Sequence, residues 1–257
     1  MVDIHAHILH GLDDGPRELA ESVAMLQVAA QTGTTDIVAT PHASLQFPYH
    51  PEAAAARLAQ LRAAAGDSPR IHAGWDLQLH FENIRAALAH PERFSINGKG
   101  YLLVEFPEMM IARNIHEVFS QMRKAGLTPI ITHPERNWLL RERLQELEAW
   151  VGQGCTVQVT AQSLLGRFGR DARAFAVALM ERGLVHFIAS DAHDPEDRPP
   201  RLDEAWQWVA RRYGTEYAFL LFEENPKAAL VGEAVRTFPA VRKRARFWPL
   251  AWWKRAR

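Results

Sequence analysis

VDIHAH, residues 2–7, is a short, mostly apolar run that passes directly into two histidines spaced two apart. In an extended strand such residues point to the same side, so the pair can present two imidazoles together. Short β-type runs recur at 36–39, 70–73, 101–106, 128–132, 156–160 and 185–189, the first being 2–5. They are more nearly continuously apolar than alternating, as expected of parallel strands covered on both faces. Between them lie Ala-, Leu- and Arg-rich stretches such as 18–31, 51–65 and 170–182, several with apolar residues at i, i+3, i+4 and i+7. Gly33, Gly126, Gly154 and Gly183 each follow a helical stretch, where a left-handed residue ends the helix. Seven strand–helix units in succession predict an α/β fold, a seven-stranded βα barrel forming a single domain.

Bulk composition narrows the partners. The 257 residues carry 30 basic and 30 acidic side chains, so net charge gives no reason to expect nucleic acid. A single cysteine, Cys155, excludes an intrachain disulfide framework and suits a reducing compartment. No signal-type segment opens the sequence and no apolar run approaches the roughly 20 residues of a membrane span. A cytoplasmic protein is therefore expected. The C-terminus differs: residues 242–257 read RKRARFWPLAWWKRAR, with Phe247, Trp248, Trp252 and Trp253 among the basic residues. This segment reads equally as an interfacial anchor on anionic lipid or as a loosely packed tail of ordinary charge.

The strand ends carry the chemistry. Strand one leads into His5 and His7, followed by Asp13 and Asp14. Strand two leads to His42, strand three to Asp76, and strand four contains Glu105. Strand five ends in His133-Pro134-Glu135-Arg136 and strand seven in Ser190-Asp191-Ala192-His193. In βα barrels the active site lies at the face formed by the strands' C-terminal ends. Six strands therefore aim imidazoles and carboxylates at one place. His-x-His or Asp-x-His alone is common by chance; their joint occurrence at successive strand ends points to a site. Nitrogen and oxygen donors without cysteine suit zinc, manganese or iron, and their number exceeds the needs of one cation. A two- or three-metal cluster would hold both the attacking and the leaving oxygens of a phosphoryl group and supply a metal-bound hydroxide. Arg136, three residues beyond His133, has the fork geometry to bind phosphate; its bland alternative is an ion pair with Glu135 or Glu142. Arg113, Arg167 and Arg201 could line the approach. His10, His50, His72, His80, His90, His116 and His186 read as structural. A Cys-x5-Arg loop, a G-x-S-x-G elbow and a Gly-rich phosphate loop are all missing, which disfavours a protein nucleophile.

MVDIHAHILHGLDD, ATPH, LLVEFP, ITHPERN and IASDAH, in this order, resemble the polymerase-and-histidinol-phosphatase (PHP) superfamily. More closely they resemble its bacterial tyrosine-protein phosphatases of capsule and exopolysaccharide operons. The resemblance covers roughly residues 1–235. It implies a distorted seven-stranded barrel over 1–236, with 237–257 as a separate basic tail. It implies three divalent cations, commonly manganese, with iron, zinc, cobalt or magnesium as alternatives. By position, His5, His7, Asp76 and Asp191 would hold one ion, Asp76, Glu105 and His133 a second, and Asp14, His42 and His193 a third. Arg136 would bind phosphate, and His42 could protonate the departing phenolate, with Asp14 or Asp191 equally placed. The family usually has glutamate where this chain has Asp76, a side chain one methylene shorter. The implied substrate is phosphotyrosine on a membrane-bound polysaccharide-assembly kinase, which the basic tail would approach at the inner face of the membrane. The rival readings are a PHP phosphatase for a small metabolite such as histidinol phosphate, and a non-catalytic regulator keeping the cluster as a staple.

Overall fold

The computed structural model describes residues 1–66 and 68–240. Among the described residues nine parallel strands are separated by helices, except between β2 and β3 and between β4 and β5: β1 (Val2–Ala6), β2 (Asp36–Ala39), β3 (His42–Ala43), β4 (Arg70–Ala73), β5 (Asp76–Gln78), β6 (Tyr101–Glu105), β7 (Thr128–Thr132), β8 (Thr156–Thr160) and β9 (Phe187–Ala189). They form two sheets, ordered β1-β2-β4 and β3-β5-β6-β7-β8-β9, in one α/β domain. Every residue of β1, β2 and β8 is buried, as expected of parallel strands covered on both faces, although polar residues such as Asp3, His5 and Gln158 interrupt their apolar runs.

The expected seven-stranded count is corrected to nine, and the reason is local. β3 and β5 follow β2 and β4 after breaks at Thr40-Pro41 and Gly74-Trp75. Pro41 has no N–H to continue a ladder. Hydrogen bonds nevertheless cross the breaks, from Thr40 N to Ala6 O (2.9 Å), Gly74 N to Ala39 O (3.0 Å) and Asp76 N to Pro41 O (3.1 Å). Where β1 meets the far end of the larger sheet, Ala6 bridges Ala192 in parallel, and Asp191 N donates to His5 O at 2.8 Å.

The helices satisfy their ends with local sequence. The helix Leu19–Gln31 starts where the Glu21 carboxylate accepts the N–H groups of Arg17 (2.6 Å) and Glu18 (3.4 Å). The helix Pro51–Ala65 opens on proline, whose missing N–H is harmless in a first turn. Gly33, Gly126, Gly154 and Gly183 all have positive φ, as their positions after helices predict. At Gly183 a side chain would also collide with the Phe238 carbonyl, so the chain after the last helix packs closely here. Val2, Ile4, Val38, Leu103, Ile130 and Phe187, from five strands, form one interior cluster with Ala229 and Leu230 of the helix Asn225–Val231. Along β6 and β9 the same parity that buries Leu103 and Phe187 leads upward to Glu105 and Asp191. β1 behaves differently: its register against β2 shifts between Asp3 and Ala6. The irregularity lets Val2 and Ile4 join the apolar cluster while His5 and His7, of opposite parity, reach the polar end. No helix among the described residues is long and apolar enough to cross a membrane. The tail read at 242–257 lies outside the described residues.

Candidate metal centre

All nine side chains marked as ligands from the sequence converge at the C-terminal ends of the strands. Four sets each bring single donor atoms within 4.8 Å of one another: His7, Asp14, His42 and His193; His5, His7 and Asp76; His5, His133 and Asp191; and His42, Asp76 and Glu105. Strand register builds this directly. His42 on β3 lies opposite Asp76 on β5, and Gln78 lies opposite Glu105 on β6. His133 and Asp191, immediately beyond the ends of β7 and β9, take left-handed backbone conformations with φ of 32° and 52°. Non-glycine residues adopt this region at a cost, and they collect at sites where a side chain must be re-aimed.

The partition differs from the sequence expectation: His42 takes the place of His133 beside Asp76 and Glu105, and Asp191 leaves the set of His5, His7 and Asp76. His7 joins the set of Asp14, His42 and His193, and His133 sits with His5 and Asp191. His133 nonetheless keeps its Nε2 3.7 Å from Glu105 Oε1. Asp76 belongs to two sets, with Oδ2 3.6 Å from His5 Nε2 and 3.2 Å from His42 Nδ1. Its shorter side chain has therefore not withdrawn it from the centre.

Three histidines are held with one nitrogen facing inward. His5 Nδ1 donates to Gln158 Oε1 (3.0 Å), His7 Nδ1 to Asp13 Oδ2 (2.8 Å) and His193 Nδ1 to the Asp191 carbonyl (3.0 Å). A proton committed to Nδ1 leaves the Nε2 lone pair toward the cluster, the arrangement that orients imidazole for a cation. Asp13 also accepts the backbone N–H groups of Gly15 and His42, each at 3.0 Å. These supporting residues were not assigned roles from sequence. Asp13 was visible as half of an Asp-Asp pair, and Gln158 as an amide amid the apolar residues of β8. Arg198 belongs to none of the motifs read from the sequence.

Electrostatics favour a cation. Both Asp76 oxygens and His42 Nδ1 are buried without a hydrogen-bond partner; the 3.2 Å approach between them lacks hydrogen-bond alignment. An ionised carboxylate buried without a donor is costly unless a positive charge completes it. Burial opposes charge on Asp76 and Asp191, but neighbouring histidines and, for Asp191, first of all Arg136 hold both below the carboxylate range. Burial and then the Asp76 charge push Glu105 up to about 8. Burial, reinforced by Arg136, brings His133 down to about 3, and burial lowers His5. Neutral His5 and His133 beside ionised Asp76 and Asp191 are the forms that bind metal. Against the burial that opposes it, Asp13 favours charge on His7 and Asp76 favours charge on His42, so cations binding there would displace protons from these rings and from Glu105. The donor set thus fits divalent cations.

Two guanidinium groups close one side. Arg136 pairs through Nη1 with Asp191 Oδ2, and Arg198 Nη2 reaches the same oxygen at 2.8 Å. Both stand over the Phe168 ring, at 4.4 and 5.8 Å from its centroid. The alternative partner Glu135 is buried and engaged elsewhere, accepting from Thr160 N and Ser163 Oγ. Phe47 lies parallel to His42, 5.9 Å between centroids and 9° between planes. Cys155 is buried away from the cluster with its thiol pushed up to about 12 by burial, which disqualifies it as a nucleophile. Histidines set aside from the sequence have other partners: His72 contacts Asp36 at 2.9 Å and His80 contacts Glu82 at 3.0 Å.

A sequence profile described as "Capsular polysaccharide synthesis, CpsB/CapC" matches residues 1–231. Tyrosine-protein phosphatase YwqE of Bacillus subtilis is 36% identical over 228 residues, which is 87% of this chain and 89% of that protein. Tyrosine-protein phosphatase CpsB of Streptococcus pneumoniae is 30% identical over 244 residues, covering 91% of this chain and all of that one (100%). A crystal structure from the pair YwqE and CpsB, described as unique metal-dependent tyrosine phosphatases, superposes with a TM-score of 0.86 at 34% identity, covering 93% of this chain and 98% of that one. With the fold, the ligand-rich strand ends and these matches in agreement, the chain belongs to the CpsB/CapC family of capsular polysaccharide synthesis proteins.

Proposed function

We propose that this protein is a metal-dependent protein-tyrosine phosphatase whose centre holds three divalent ions, manganese by preference. The observation that carries the reading is the convergence of His5, His7, Asp14, His42, Asp76, Glu105, His133, Asp191 and His193 beside Arg136. Similarity to tyrosine phosphatases over most of the chain supports it. Within the fold we read the two sheets as one distorted barrel, joined at the Ala6–Ala192 bridge.

Bound cations would neutralise phosphoryl oxygens and lower the pKa of a coordinated water. The protein's own contribution is positioning. Arg136 and Arg198, both part-exposed, bind the phosphoryl oxygens from the Phe168 side. Asp13 and Gln158 keep His7 and His5 in their ligating tautomers. His42, with Nε2 3.5 Å from Asp14 and Nδ1 3.2 Å from Asp76, faces the cluster with both nitrogens and serves as a ligand in place of a proton donor. Tyrosine is an undemanding leaving group, since its hydroxyl has a pKa of about 10. Hydrolysis of para-nitrophenyl phosphate and of a phosphotyrosyl peptide should require manganese and vanish with EDTA. Arg136→Ala should lower kcat/KM about 10²–10³-fold with the fold intact, by loss of one charge-stabilising donor. Metal-independent turnover, or activity untouched by Arg136→Ala, would sink the proposal; a preference for small alkyl phosphates would favour the metabolite phosphatase.

The family's link to capsular polysaccharide synthesis supports a kinase of that assembly as the phosphoprotein. The sequence of 242–257 supports contact with the inner face of the membrane. Deleting 242–257 should then release the protein from anionic vesicles, and unchanged binding would refute that contact.

A further inference from the structure

Among the described residues seven large hydrophobic side chains are exposed, and five of them stand on four neighbouring strand-to-helix segments, Phe81 and Trp138 each opening a helix. Leu45 follows β3, Phe81 follows β5, Met109 and Met110 follow β6, and Trp138 follows β7; Met109 is 86% exposed. Parallel strands place the loops after them at one end of the fold, so all five share the end that carries the cluster. The loops are joined side to side in strand order. Asn83 Nδ2 donates to Ala43 O at 2.6 Å, Leu79 N to Glu105 O at 2.8 Å, and Asn137 Nδ2 to Phe106 O and Pro107 O at 3.4 and 3.3 Å. These same four strands supply His42, Asp76, Glu105 and His133. Each therefore sends a polar donor toward the cluster and leaves an apolar side chain in solvent. At its β7 end the arc gives way to a cationic side, where Arg136, two residues before Trp138, stands with Arg198 over Phe168. The other two exposed side chains, Phe219 and Val231, lie on C-terminal helices.

Clustered apolar exposure marks an interaction surface. We propose that this arc docks the polypeptide bearing the phosphotyrosine, seating apolar side chains that flank the phosphorylated residue while the arginine side holds the phosphoryl group. The inference rests on the phosphatase reading above. Two features select this occupant. The arc is continuous with the cluster through its own strands, so what lies on it also reaches the site. The division of the mouth into an apolar and a cationic side matches a phosphorylated residue with apolar neighbours. A lone aryl phosphate has no flanking side chains to seat on the apolar side.

The test uses the full, manganese-loaded chain and three substrates: para-nitrophenyl phosphate, a phosphotyrosyl peptide flanked by Leu and Met, and the same peptide flanked by Ser. Leu45→Ser and the double variant Met109→Ser with Met110→Ser should leave para-nitrophenyl phosphate turnover unchanged. Both should raise KM for the apolar peptide about tenfold, with little effect on the serine peptide. Val231→Ser should change none of the three. Equal KM values for the two peptides in the unaltered protein would overturn the proposal. So would arc variants that lose vesicle binding or self-association while the apolar peptide's KM stays put, since the arc would then face a membrane or a second copy. If the unaltered protein turns over no aryl phosphate, the phosphatase reading fails. Anisotropy of the labelled apolar peptide still reads the arc in that case, and binding insensitive to the variants would overturn docking as well.

Discussion

At His5, His7 and His193 the fate of one proton decides what the other nitrogen can do. Gln158, Asp13 and the Asp191 carbonyl each claim an Nδ1 proton, so Nε2 is free to bind a cation. His186 shows the contrasting case of a histidine built into the core. Its Nδ1 accepts the Val157 N–H at 3.2 Å, and burial pushes the ring down to about 4. The unfolded chain takes up that proton near pH 6.5. Stability from this residue is thus complete above about pH 6.5, falls as pH drops toward 4, and levels off below. The loss across that window is roughly 3 kcal/mol. His186→Asn, which keeps an acceptor for Val157, should flatten the thermal stability curve between pH 6.5 and 4. An identical pH dependence in the variant would remove His186 as a cause.

Elements matter here mainly through their interruptions. Pro41 and the Gly74-Trp75 step break two strands, and each resumes with a donor residue, His42 or Asp76, facing its counterpart in register. The loop after β1 depends on Gly15, where an added Cβ would lie 2.5 Å from the His7 carbonyl and 3.0 Å from Asp13 Oδ1. Gly15→Ala should therefore push the loop away and loosen Asp13 from His7. Manganese affinity measured by titration calorimetry should fall about 10–100-fold, the usual effect of losing such a supporting contact. Unchanged affinity would mean that the loop can yield without moving Asp13. The alternation of strands and helices was legible in the sequence because apolar runs and helix-ending glycines are local signals. The nine-strand division was not, since Pro41 looked like part of a loop until its neighbours' hydrogen bonds were seen to cross it.

For the molecule as a whole, the cluster gathers five acidic groups (Asp13, Asp14, Asp76, Glu105 and Asp191) at one end of the fold. Cations that bind there bind only the folded chain, so they stabilise it by mass action. Manganese at about a hundred times its Kd should add about 2.7 kcal/mol and raise the calorimetric Tm by several degrees, reversibly with EDTA. A Tm indifferent to both would argue against a centre assembled by folding. Residue type, spacing and order along the chain determined which side chains could ligate and that they would share one end, because parallel strands all finish on the same face. Only the tertiary structure decided how those donors group, which nitrogen each histidine offers, and that Arg198 joins Arg136 on Asp191. These outcomes depend on register shifts, left-handed turns at His133 and Asp191, and contacts between residues far apart in sequence. Short-range propensity carries no record of such contacts; packing across strands creates them.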